Sequence, residues 1–372
     1  MLERHDFTVQ IEVILHEMFG HIAEEVFEKS MLLQYLNLKT KSANRGSKSR
    51  GGFANLYAIY VIVEDYLAKG FDKRHDYCDY EGAQFTQLLS RQRELPFGSK
   101  LQNHALNHRL NEEFKKYFPI SDIVPINRNL ETGRYWINEN LLKVKVGRRS
   151  VNISKAIIQI IDRYVNVKQD SFHRFIKQCE SLQHLDAVAG DATICSFVGS
   201  LLEPNVDARL FEIVSYAILK YYYSDTKIFW GYSPDELKEE ELRLYKTGRT
   251  NANDGGIDFV MRPLGKFFQV TETMDFRKYF LDIDKLERYP ITFVVKTTTD
   301  IQSLKESLRE DALRTYIVKD VVEKYLSCVE ELINIPCLLD YFSQVVSRGD
   351  AHKVLNEISL QSKIEFNIDE ED

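Results

Sequence analysis

Asp258, Gln269 and Thr271 place side-chain oxygens along NANDGGIDFVMRPLGKFFQVTE (251–272), a stretch that otherwise reads as two apolar strands around the turn PLGK. With residues 263 to 266 as the turn, Arg262 pairs with Phe267, Val260 with Gln269 and Asp258 with Thr271. Side chains opposed in an antiparallel pair share a face, about 5 Å apart at Cβ, so the three are expected to converge. A carboxylate and an amide carbonyl suit a hard divalent cation such as Mg²⁺, and the preceding Asp254-Gly255-Gly256 admits close backbone approach. An ordinary hairpin with a polar edge is the other reading of the same residues.

Other chemistry-bearing spacings say less. HEMFGH imitates a zinc-protease helix, but His16 and His21 are five apart and so about 140° apart around a helix. His104 and His108 have the i, i+4 spacing of a two-imidazole face but no third ligand in view, and read as surface or DNA-contacting groups. Cys78, Cys179, Cys195, Cys328 and Cys337 are odd in number and never spaced C-x-x-C, which argues against a disulfide framework or a zinc site and for reduced thiols in a cytoplasm. Tyr221 to Tyr223 read as helix packing against a sheet.

Basic residues cluster early. KTKSANRGSKSRGG carries Lys39, Lys41, Arg45, Lys48 and Arg50 without an acid, and KVKVGRR carries Lys143, Lys145, Arg148 and Arg149. Between them, Arg91, Arg93, Lys100, Gln102 and Asn103 are residue types that hold phosphates or read base edges. The net charge of −7 conceals this: residues 1 to 150 hold 22 Lys+Arg against 19 Asp+Glu, and the rest 27 against 37. The first part is therefore expected to bind double-stranded DNA, although residues 39 to 50 also read as a soluble loop.

The elements that must position these residues follow from periodicity. Val9, Val13, Phe19, Ile22, Val26 and Phe27 predict one amphipathic helix over 8–36. A second helix should run from Phe53 to Gly70 and a third near 100–118, and RYWINENLLKVKV (134–146) reads as a hairpin around Asn138 to Asn140. Small residues near 186–206 suggest a boundary. Beyond it come a helix (207–223), KIFWGY as a short strand, GIDFVMR and KFFQVTE as paired strands, a helix in DFRKYFLDIDKLERY, PITFVVKT as a buried strand, and two more helices.

The expected class is α+β or α/β. A mainly helical domain with a β-ribbon (1–190) precedes an αβββαβ core with extra helices (191–364) and an acidic tail (365–372). At 372 residues with 44% hydrophobic content, both domains can bury a core. The chain opens without a basic, apolar leader and holds no long apolar run, so export and membrane spanning are not expected.

This order, with DGGID before one strand and QVT on the next, resembles the PD-(D/E)XK nuclease superfamily over roughly residues 205 to 300. The Mrr-like branch, with a Gly-rich loop into G-I-D and Gln in the triplet's acid position, resembles it most. The resemblance implies Mg²⁺-dependent hydrolysis of DNA phosphodiesters. Asp258 and Gln269 would be metal ligands, and Glu212, in Arg209-Leu-Phe-Glu212, a further one. The triplet's lysine is Thr271 here. Lys296, ending PITFVVK, is the expected substitute, ahead of Lys266 in the turn. Type II restriction endonucleases of this kind act as dimers beside a partner methyltransferase. A repair or modification-dependent nuclease, and an inactive DNA-binding protein, are the rival readings.

Overall fold

The computed structural model describes every residue except 1–3, 42, 44–48, 74–76, 100, 184–186, 205, 248–256, 317 and 367–372. The class is mixed α+β, and the chain divides into two compact units, Met1–Arg174 and Phe175–Asp372.

The first unit opens with α1 (Thr8–Phe19), α2 (Ala23–Lys29) and α3 (Met31–Thr40) where one helix was expected. Gly20 breaks the run at φ 58°, and Ser30 starts α3 by accepting from the Leu33 amide, 3.2 Å. The helix phase also differs. Val9 and Val13 face solvent, while Ile11, Ile14 and Leu15 enter the core. Then α4 (Ser49–Ala68) runs to Gly70, whose φ of 74° stops it as expected.

A small sheet orders β1 (Ala83–Gln84), β3 and β2, with α5 (Phe85–Glu94), a π-helical turn (Ala105–Arg109) and α6 (Leu110–Tyr117) between β1 and β2 in sequence. The expected hairpin at 134–146 is replaced by two. Strand β2 (Ile126–Asn129) pairs with β3 (Arg134–Ile137), and β4 (Lys143–Val146) with β5 (Arg149–Asn152). The turns sit at Gly133 and Gly147, both at positive φ, whereas Asn138 caps a short 3₁₀ turn by accepting from the Asn140 amide, 3.1 Å. Glycine supplies the left-handed backbone at both turns. The unit ends within α7 (Ser154–Gln183).

In the second unit α8 (Ala187–Ser200) and α9 (Ala208–Tyr223) precede the strands. The expected first sheet strand, KIFWGY, lies elsewhere: β6 (Lys227–Trp230) pairs only with β7 (Lys238–Glu241) in a separate ribbon. The five-stranded sheet begins with β8 (Arg243–Lys246) and continues through β9 (Phe259–Arg262), β10 (Lys266–Thr271), α10 (Phe276–Lys285) and β11 (Ile291–Val295). After α11 (Ile301–Thr315) and α12 (Lys319–Leu326), an unexpected β12 (Val329–Ile333) pairs parallel to β11. Helices α13 (Ile335–Ser347) and α14 (Ala351–Phe366) close the chain. Glu365, expected in a solvated tail, is 7% exposed on α14.

The sheet order is β12-β11-β10-β9-β8. On one face Phe259 and Phe268 meet α9 through Tyr216 and Tyr223, at ring separations of 5.2 and 6.3 Å, and α13 and α14 pack on α9. On the other face Ile291, Phe293 and Val295 join a core with α10, α11 and α12.

Candidate functional site

Strands β8, β10 and β11 run one way and β9 the other, so the ends of four strands meet at one end of the sheet. Lys246 closes β8, Asp258 immediately precedes β9, Thr271 closes β10 and Lys296 immediately follows β11.

The β9–β10 register differs from the expected one. Met261 pairs with Lys266, Val260 with Phe267 and Phe259 with Phe268, because the turn takes up Arg262 to Gly265, with Gly265 at φ 69°. The shift is two residues. A one-residue slip would have turned every side chain over; two preserves the faces. The paired ladder ends at Phe259 and Phe268, so Asp258 is not set opposite Thr271.

At Asp258 the chain leaves the ladder. Its amide donates to the Phe268 carbonyl, 2.9 Å, and its carbonyl accepts from the Thr247 amide, 3.1 Å. The carboxylate Oδ2 then accepts from the Val270 amide, 2.7 Å. A side-chain oxygen thus satisfies the β10 amide lying between Gln269 and Thr271, which fixes the carboxylate against that strand.

Gln269 is 7% exposed. Its Nε2 donates to the Val270 carbonyl, 3.2 Å, but its Oε1 is buried with no hydrogen-bond partner. An orphaned buried acceptor costs about 1 to 3 kcal/mol, and one beside a carboxylate fits a donor set for a hard cation. Thr271 is also buried, and its Oγ1 accepts from the Thr273 amide, 3.3 Å. Alternation puts Gln269 and Thr271 on the face opposite Phe268. Gln269 lies in register with Phe293, which packs on Tyr279 of α10, 4.6 Å between rings.

Glu212 and Lys296 stand on the α9 side. Glu212, 7% exposed, meets the Lys246 ammonium at 3.1 Å. One turn on, the Tyr216 hydroxyl donates to the Leu244 carbonyl, 3.3 Å, and burial holds that phenol above its ordinary pKa. The Lys296 ammonium donates to Glu272 Oε1, 2.7 Å, and to the Val206 carbonyl, and it lies 5.9 Å from the centre of the Phe211 ring. Lys266 is committed to Glu331, 2.6 Å, three rungs from Gln269. The structure therefore sets the Asp258 carboxylate against the amide between Gln269 and Thr271, and sets Glu212 and Lys296 on the face of the same sheet end opposite Gln269. Lys246 escapes the sequence reading because KIFWGY reads there as the strand before GIDFVMR; the alternation of Arg243-Leu244-Tyr245-Lys246 is the signal that marks β8.

The basic residues fare unequally. On the β4–β5 hairpin Val144 and Val146 point inward, while Lys143, Lys145, Arg148 and Arg149 are exposed; Lys143 pairs with Glu139, 2.8 Å. Lys39 pairs with Glu113, 2.7 Å, at 15% side-chain exposure. Arg91 grips Glu64 with two bonds of 2.9 and 2.8 Å, and Arg93 Nε donates to the Leu101 carbonyl, 3.0 Å. Lys41 is exposed. Arg45, Lys48, Lys100 and the Asp254-Gly255-Gly256 loop lie outside the described residues, as does the side chain of Arg50. His104 and His108 are exposed with ring centroids 5.8 Å apart.

Among the described residues no group of three or more His, Cys, Asp and Glu side chains could hold a metal ion; the Asp258–Gln269 pair is a carboxylate and an amide. No helix among them is long and apolar enough to cross a membrane. No known family, curated protein or solved structure matches the chain.

Proposed function

We propose that the chain is a Mg²⁺-dependent endonuclease of double-stranded DNA, of the type II restriction kind, with a PD-(D/E)XK-like core in its second unit and DNA contacts in its first. The observation that carries the reading is the buried, unpartnered Gln269 Oε1 on β10, next in sequence to the Val270 amide that holds the Asp258 carboxylate. Element order supports it: with the separate β6–β7 ribbon inserted after α9, the elements α9, β8, β9, β10, α10 and β11 come in the order helix, three antiparallel strands, helix and parallel strand. A divalent cation held by Asp258 and Gln269 would supply positive charge to the phosphate under attack. Asp258, fixed by the Val270 amide, would orient that site, and the Thr271 hydroxyl would hydrogen-bond a water. Positive charge must come from a lysine outside β10. Glu212 lies across the sheet end and its first partner is Lys246, so it would reach the site indirectly.

The exposed hairpin carrying Lys145, Arg148 and Arg149 supports a phosphate-contacting role in the first unit. A partner methyltransferase and a cytoplasmic setting complete the restriction reading. Purified protein incubated with unmethylated plasmid and Mg²⁺ is expected to give discrete fragments, lost when the same plasmid carries host methylation. A smear of products would favour a repair nuclease. No cutting with any divalent cation, with DNA binding retained, would leave a DNA-binding protein that lacks the chemistry.

A further inference from the structure

The β6–β7 ribbon carries exposed aromatic rings on an acidic frame. Residues 227 to 241 hold five acids against two lysines, and among them Trp230 is 38% and Tyr232 94% exposed. Cross-strand partners share a face, so the register puts Ile228, Trp230, Lys238 and Glu240 on one face and Lys227, Phe229, Glu239 and Glu241 on the other. The contacts obey that division. On the first face the Trp230 indole N–H donates to Glu240, 2.8 Å, which fixes the ring; on the second Lys227 pairs with Glu239 at 2.6 Å. Tyr232, just beyond the strand, sets its ring 6.4 Å from that of Trp230 and 71° from parallel. Two rings so placed make a corner beside a carboxylate.

We propose that this corner takes a lysine ammonium from an extended, basic segment of a partner protein, which adds as a strand to the free edge of β6. An ammonium within about 6 Å of both ring centroids is attracted by both faces, and Glu240 adds its charge. Three features select the occupant. The surface is open, whereas small organic ligands are held in concave pockets that bury most of their area. Among the described residues β6 pairs with β7 alone, and an unpaired edge offers its backbone groups to an incoming strand. Every second side chain of that strand falls on the Trp230 face. The excess of carboxylates then favours a basic segment and disfavours a phosphate backbone. Of the four residues on the Trp230 face only Lys238 is cationic, and it opposes the incoming charge. This inference stands apart from the nuclease reading.

Fluorescence anisotropy of a short labelled peptide alternating threonine and lysine, titrated with the full chain, tests it. The parent should bind this peptide and not its counterpart with glutamine in place of lysine. Trp230→Leu and Tyr232→Leu leave the charge of the ribbon unchanged and should each weaken binding about five- to tenfold, with unchanged far-ultraviolet spectrum and melting temperature. Lys238→Gln should tighten it. A parent that binds the two peptides alike overturns the proposal. Folded Trp230→Leu and Tyr232→Leu variants that bind as the parent does overturn it as well, because charge alone would then hold the peptide. A labelled DNA duplex that depends on Trp230 for binding, where the peptide does not bind, would give the ribbon to nucleic acid and overturn it too.

Discussion

At the scale of single residues, Gln269 combines burial with an unpartnered acceptor. Replacing it by leucine removes the orphaned Oε1 at similar volume, so Gln269→Leu is expected to raise stability by about 1 to 2 kcal/mol while abolishing metal-dependent cleavage. Chemical denaturation beside a cleavage assay checks both halves; a destabilised variant would show that Gln269 is satisfied by something other than a cation. The two candidate lysines separate in a similar way. Lys246→Ala removes the ammonium 3.1 Å from the buried Glu212 carboxylate and should lower stability. Lys296→Ala deprives the Val206 carbonyl of a donor and releases Glu272, whose side chain is 43% exposed, at about 1 to 3 kcal/mol. Lys296 is held by two acceptors, so we expect Lys246→Ala to lose more cleavage, at a temperature where both variants remain folded. The opposite ranking would return the role to Lys296, as the sequence alone suggested.

At the scale of elements, the β4–β5 hairpin is the described basic surface that projects into solvent. Lys145→Ala should lower the salt dependence of DNA binding by about one unit of slope on any duplex, by releasing one fewer set of counterions. Lys39→Ala should leave that slope unchanged and lower the melting temperature, because Lys39 is spent on Glu113. Equal slopes for parent and Lys145→Ala would remove the hairpin from the interface. These elements also show what was legible. Helices α4, α9 and α10 and strand β11 follow from apolar periodicity and their caps, and β9 and β10 from alternation around Pro263 to Gly265. The register error is even, so the paired residues of β9 and β10 keep the faces that alternation assigns them. What failed depended on long-range pairing. Nothing local in Lys-Ile-Phe-Trp says that it pairs with Lys-Glu-Glu-Glu and not with β9, or that Val329–Ile333 extends the sheet beyond β11. The division of Glu212 and Lys296 from Gln269 follows from which face α9 covers, and tertiary packing alone decides that.

At the scale of the whole molecule, each unit has its own apolar core, one built from Phe7 to Val165 and another from Phe276 to Leu332. The division falls inside α7, earlier than the change in texture near residue 190 suggested. Separate cores predict unfolding in more than one step, with a calorimetric enthalpy above the van't Hoff value; a ratio of one would mean that the two units melt together. The most direct test of the account is whether Asp258 is needed for metal-dependent cutting but not for holding DNA. Supercoiled plasmid incubated with Mg²⁺ should be cleaved by the parent protein and spared on chelation. Asp258→Ala should cut about three orders of magnitude more slowly, roughly 4 kcal/mol of barrier, while binding the same duplex as the parent does without metal. Parental cleavage by a folded Asp258→Ala protein would contradict the site.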